Sequence, residues 1–130
     1  MTTSSVIVDE WSTLLGEEES ITQASGLPDP GTFKLYKFEE TLENKDDFEI
    51  WFNQISQHLK SQGLQRLIDR KIPRPSKTAN NARKWQQLSI QITGYLVANI
   101  SNNLVQQVRS QGVRVELADE FIEQAIKLFR

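Results

Sequence analysis

Residues 44–63 read NKDDFEIWFNQISQHLKSQG, and their spacing decides the fold. Phe48, Trp51, Phe52, Ile55 and Leu59 recur at i, i+3, i+4, i+7 and i+11, the interval at which side chains share one face of an α-helix. Asn44 offers a side-chain oxygen as N-cap, and Asp47 puts a negative charge in the positive first turn. Gly63 is the expected stop, since a helix ends most readily on a residue that tolerates positive φ.

Downstream the same period returns. Leu64, Leu67 and Ile68 predict a second, shorter helix that Pro73 and Pro75 end, each proline removing a backbone donor and restricting its predecessor. Ser76 or Thr78 can cap the longest helix, near 79–99, whose stripe is Ala82, Trp85, Leu88, Ile92, Tyr95 and Leu96. Gly94 inside it costs about 1 kcal/mol against alanine, which predicts a close helix crossing there. Ser101 caps a fourth helix with Leu104, Val105 and Val108, stopped by Gly112. A fifth, from about Leu117, carries Ala118, Phe121, Ile122, Ala125 and Phe129. It is still in phase at Arg130, so the pattern is expected to continue in a longer parent protein.

The expected fold is therefore all-α, a compact bundle of about five short helices spanning residues 33–130. Its predicted core holds Phe48, Trp51, Ile55, Trp85, Leu88, Ile92, Phe121 and Phe129.

Upstream, residues 33–38 suit a short extended lead-in. Residues 1–32 hold six acids (Asp9, Glu10, Glu17, Glu18, Glu19, Asp29) and no Lys or Arg, and they end in Gly26-Leu27-Pro28-Asp29-Pro30-Gly31. They read as a flexible acidic tail, in which Ile7, Trp11, Leu14 and Leu15 have the spacing of a short docked helix. Trp11 either docks on the bundle or meets a partner.

Composition narrows the function. Hydrophobic residues make up 38% and charged ones 25%, enough for a packed core. No cysteine is present, which removes disulfides and thiolate metal sites and suits a reducing compartment. No apolar run approaches the ~18 residues of a membrane span, and the N-terminus lacks a signal peptide's basic flank and apolar core. The expected address is the cytoplasm, with no membrane partner.

A search for chemistry finds no enzyme. His58 has no cysteine or second histidine with which to anchor zinc. No phosphate-loop, dinucleotide or nucleophile-elbow motif occurs. Glu39/Glu40 and Asp46/Asp47 are adjacent pairs whose side chains diverge, unsuited to acid–base work. No cofactor and no small-molecule substrate are expected.

The net charge of −2 hides one asymmetry: residues 60–84 hold eight basic residues against a single acid, Asp69. Of these, Arg66, Arg70, Lys71, Arg74, Lys77, Arg83 and Lys84 form either a solvated loop or a phosphate-contacting patch with salt-sensitive, sequence-independent binding to RNA. Val113, Val115 and Leu117 have no assigned place in the bundle and are candidates for self-association.

Taken in order, these motifs resemble the Gag proteins of copia-type LTR retrotransposons over roughly residues 34–130. Phe48-Glu-Ile-Trp51 is similar to the aromatic-x-x-Trp that opens the first helix of that family, and Gly63-Leu64 with Leu67-Ile68 resembles the turn that follows. Trp85, Ile92 and Leu96 resemble its second tryptophan helix, continued by Ile100, Leu104 and Val108. Ala118-Asp-Glu120-Phe121-Ile122 is similar to its Ala-x-Glu-Leu-Trp stretch, and Phe129 stands where the family often has tyrosine. The chain departs from the family in lacking a glycine before the first aromatic, in Ile122 replacing tryptophan, and in having no zinc knuckle. The resemblance implies an N-terminal capsid-like domain whose partners are further copies of itself and the element's RNA, the latter through regions beyond this chain. The competing expectation is a non-enzymatic helical adaptor or regulatory domain, including one domesticated from Gag.

Overall fold

The computed structural model describes residues 21–130. Four α-helices form the body: α1 (Phe48–Ser61), α2 (Ala82–Ala98), α3 (Asn102–Arg109) and α4 (Ala118–Phe129). Two single 3-10 turns, Lys45–Asp47 and Gln65–Ile68, complete the regular structure. Among the described residues there is no β-strand beyond one parallel bridge between Leu42 and Ile100. The fold is all-α, with four α-helices where the periodicity predicts about five.

The missing helix is the segment carrying Leu64, Leu67 and Ile68. These three side chains are buried as expected, but on a 3-10 turn. Gly63 at φ 76° reverses the chain, with Leu64 N–H donating to Leu59 O at 2.8 Å and Gly63 N–H to Lys60 O at 3.1 Å. This pair of bonds caps the last carbonyls of α1. Asp69 is already extended after the turn, and Pro73 lies four residues further on. That leaves too few residues to nucleate an α-helix, whose first turn is the unfavourable step.

The Ser101 cap holds as expected, whereas Asn44 caps the 3-10 turn Lys45–Asp47 and not α1, whose N-cap Asp47 makes no side-chain cap bond. Asn44 accepts from Asp46 N–H at 2.8 Å, and Ser101 accepts from Leu104 N–H at 3.4 Å. The cap expected for α2 does not hold: the helix begins only at Ala82, after Asn81, while Ser76 and Thr78 hydrogen-bond each other at 3.1 Å in the loop. Gly94 also departs from expectation. It is exposed, and a Cβ there would meet nothing within 4 Å, so no helix crosses closely at that point.

The apolar stripes close on one core. Phe48, Trp51, Ile55 and Leu59 of α1 meet Leu88, Ile92, Tyr95 and Leu96 of α2 and Phe121, Ile122, Ala125 and Phe129 of α4 in a single buried cluster. Val105 and Val108 join it from α3. Of the predicted core, Trp85 alone is only partly buried.

Buried backbone polar groups must find partners, and Asn99 supplies several. Its side chain donates to Tyr95 O at 2.9 Å and accepts from Phe38 N–H at 2.8 Å. Its carbonyl accepts from Leu42 N–H at 2.9 Å and from Trp51 Nε1 at 3.0 Å. The end of α2 is thereby tied to the extended lead-in and to α1.

Residues 21–32 belong to the folded body, so the boundary expected between 32 and 33 has no counterpart in the packing. Gln23, Ala24 and Leu27 are buried, and Lys84 Nζ donates to Leu27 O at 3.1 Å. Two apolar side chains and one buried amide anchor the segment despite its prolines and glycines. The candidate docked helix with Trp11, and the Glu17-Glu18-Glu19 run, lie outside the described residues.

Candidate functional site

The basic segment runs from the 3-10 turn through the proline loop into α2, and its centre is a carboxylate. Asp119, in the first turn of α4, is 1% exposed. Arg74 grips it with two nitrogens, Nη2 at 2.7 Å from Oδ1 and Nε at 3.1 Å from Oδ2. Gln23 Nε2 adds a bond at 3.1 Å to Oδ2. Arg74 also reaches Glu120 at 3.2 Å, and its guanidinium lies 5.8 Å from the ring centroid of Trp85. The Asp119 bonds, with a smaller contribution from Glu120, hold the Arg74 pKa above the ordinary guanidinium value. Trp85 completes the circle by donating from Nε1 to Gln23 Oε1 at 3.0 Å.

The start of α4 explains why Asp119 sits there. Ala118 N–H is capped from another helix, by Ser89 Oγ at 2.8 Å, and Glu120 folds back to Leu117 N–H at 3.1 Å. Acids in a first turn face the positive helix end.

This network redistributes the predicted RNA-binding set. Arg74 is committed to Asp119, Arg70 to Glu123 at 2.9 Å, and Lys84 to Asp29 at 2.8 Å. Arg66 is half-buried and one of its terminal nitrogens has no hydrogen-bond partner in the fold. Lys71, Lys77 and Arg83 are exposed and have no ion-pair partner among the described residues. The seven residues therefore form no single patch. Lys77 and Arg83 line a cleft of about 450 Å³ with Arg74, Trp85 and Leu117, whereas Lys71 stands on a different groove. An exposed cation beside a partly open indole is the arrangement that stacks bases and holds phosphates.

The predicted self-association set divides as well. Val113 is 52% exposed, and with half-buried Val115 it lines a groove of about 600 Å³ whose other wall is Ile90, Thr93 and Val97 of α2. Ile90 is 51% exposed, and Gly94, Arg109, Arg114 and Glu116 also line the groove. Leu117 faces the other way, into the Trp85 cleft.

His58 has a structural place: its Nε2 accepts from Tyr36 N–H at 3.3 Å and its ring lies between Tyr36 and Tyr95. Among the described residues no cluster of His, Cys, Asp or Glu could hold a metal ion, and no helix is long and apolar enough to cross a membrane.

Sequence reading missed the buried polar residues Gln23, Ser89, Asn99 and Asp119. Asp119 carried a signal, since it stands three residues before Ile122, inside the apolar arc of α4. An acid in phase with a core stripe needs a cationic or hydrogen-bonding partner. Gln23 carried none.

The described residues define an all-α domain with an ion-pair-locked basic cleft and an open apolar groove. Comparison with protein-family models, with curated proteins and with solved structures gives no match.

Proposed function

We propose that this chain is a capsid-type domain of an LTR-retrotransposon Gag protein, which self-assembles into particles that enclose the element's RNA in the cytoplasm. The observation that carries the reading is the order in which the family-like motifs fall on separate elements. Phe48 and Trp51 open α1, Gly63 and Leu64 close it, Trp85 lies in the first turn of α2, and Phe121 and Ile122 lie on α4. Each motif alone is a core hydrophobe at helical spacing; their sequence on successive helices is the stronger support. In this reading the groove of Ile90, Val97, Val113 and Val115 carries a weak contact between copies, repeated many times so that avidity completes the particle. No catalysis, cofactor or small-molecule substrate enters it.

RNA is a weaker part of the proposal for this chain alone, because Arg70, Arg74 and Lys84 already hold carboxylates. The same observation favours the second reading, a helical adaptor that binds one protein partner through the apolar groove. Sedimentation velocity over a concentration series separates them. Capsid-type contact predicts weak, reversible self-association that Val113→Asp abolishes. A chain that stays monomeric at every concentration supports the adaptor.

A further inference from the structure

A groove of about 530 Å³ runs between α1, the Gln65–Ile68 turn and α4. Its floor is apolar, formed by Phe52, Ile68, Ile122 and Ile126. Its rim is mixed: Arg70 is paired with Glu123, the Asp69 carboxylate accepts from Lys71 N–H at 2.9 Å, and the Lys71 and Lys127 ammonium groups have no ion-pair partner among the described residues. An apolar floor with two uncommitted ammonium groups on its edge is complementary to an acidic, amphipathic segment.

Such a segment lies in this chain and enters the body beside the groove. Gln23 Nε2 donates to Asp69 O at 3.0 Å, and Asp69 is part of the groove wall. The residues before Ile21 include Asp9, Glu10, Glu17, Glu18 and Glu19, with no Lys or Arg, and place Ile7, Trp11, Leu14 and Leu15 at i, i+4, i+7 and i+8. Five residues lie between Leu15 and Ile21, and the six Cα–Cα steps reach about 20 Å when extended. The groove's far end at Ile126 is only about 10 Å along α4 from Asp119, which Gln23 touches. The tether is long enough for the whole groove.

We propose that residues 7–15 of the same chain dock in this groove, with Trp11 and Leu14 on the apolar floor and the flanking acids facing Lys71 and Lys127. The docking stands apart from any role in particle assembly, since the groove of Ile90 and Val113 is a different one.

The chain has no cysteine, so Ser12→Cys creates a unique site for a nitroxide label, with Thr13→Cys as a second position. Amide spectra of the full chain then report which residues the label approaches. Broadening at Phe52 and Ile126 should exceed that at Ile90 and Val113 at least about threefold, and should fall by about half when salt shortens the screening length from ~10 to ~3 Å. It should be independent of protein concentration and should weaken in the Lys71→Glu/Lys127→Glu variant. Broadening centred elsewhere, or absent from both label positions, overturns the proposal. So does broadening that arises only when labelled chains are mixed with separate isotope-enriched ones, which would assign the groove to a second copy.

Discussion

Arg74 holds Asp119 through two parallel hydrogen bonds of 2.7 and 3.1 Å, joining the proline loop to the first turn of α4 across 45 residues of sequence. The carboxylate is 1% exposed, whereas the Arg74 side chain is 37% exposed. The two partners are therefore unequal. Removing the arginine leaves a buried charge with only the Gln23 amide and the more distant Arg70 Nε at 3.9 Å; removing the carboxylate leaves a cation that keeps Glu120 and can turn to water. Arg74→Ala is expected to cost about 3 kcal/mol, the scale for breaking a buried pair from one side. Adding Asp119→Asn should recover part of that loss, because a neutral amide costs less to bury than an unpaired carboxylate. Urea unfolding of the two variants measures it, and a double variant less stable than Arg74→Ala contradicts the account.

The two described tryptophans should respond differently. Trp51 is 4% exposed and donates to Asn99 O at 3.0 Å, so Trp51→Ala should cost about 3–5 kcal/mol. Trp85 is only partly buried, and its loss should be distinctly smaller. Thermal midpoints of the pair provide the comparison.

Gly94 offers a gain. It lies within α2, its φ is not in the left-handed region, and the space beside it is open. Gly94→Ala should stabilise the chain by up to about 1 kcal/mol through helix propensity and a less flexible unfolded state. A lower thermal midpoint would reveal a contact at that surface that the fold does not show.

Two exposed carboxylates make a small contribution to acid sensitivity. Lys84 holds the Asp29 carboxyl below its ordinary value, and Arg130, bonded to Glu49 through Nε and Nη2, does the same for Glu49. Because the folded values are depressed, their stabilisation is complete above the ordinary carboxylate range and is lost as pH falls through the lower folded values. The effect is small at such exposed sites. The thermal midpoint should stay level from neutral to mildly acidic pH and then drop, with a shallower drop in Asp29→Asn/Glu49→Gln.

Much of this fold was legible in the spacing of apolar residues. The stripe from Phe48 to Leu59, apart from half-buried Phe52, and that from Ala118 to Phe129 are buried where the 3.6-residue period puts them. Periodicity could not tell the 3-10 turn at Leu67 from a short helix, because three apolar residues fit both. Trp85 misled for a different reason: its stripe position fits the core, against which it packs, but one turn from the helix start it also meets Gln23 and Arg74 and stays partly open. The cationic surface was the least legible part. Sequence counts positive charges in a segment, but only the fold brings Asp29, Asp119 and Glu123 from distant positions to neutralise them.

If RNA binds, the exposed pair beside Trp85 should carry it. Lys77→Glu/Arg83→Glu should weaken binding at low salt while leaving the thermal midpoint unchanged, because neither residue pairs with a carboxylate among the described residues. Charge reversal at Arg70 or Arg74 is the poorer probe, since it also breaks the fold's own ion pairs. Affinity titrations at two salt concentrations, run beside melting curves, separate the two effects.

Assembly is the central claim, and light scattering with negative-stain microscopy of the full-length protein, with and without RNA, tests it most directly. The capsid reading predicts large particles, more numerous with RNA, that fail to form when Val113→Asp places a charge in the Ile90–Val97 groove. A full-length protein that remains strictly monomeric under crowded, RNA-containing conditions contradicts it.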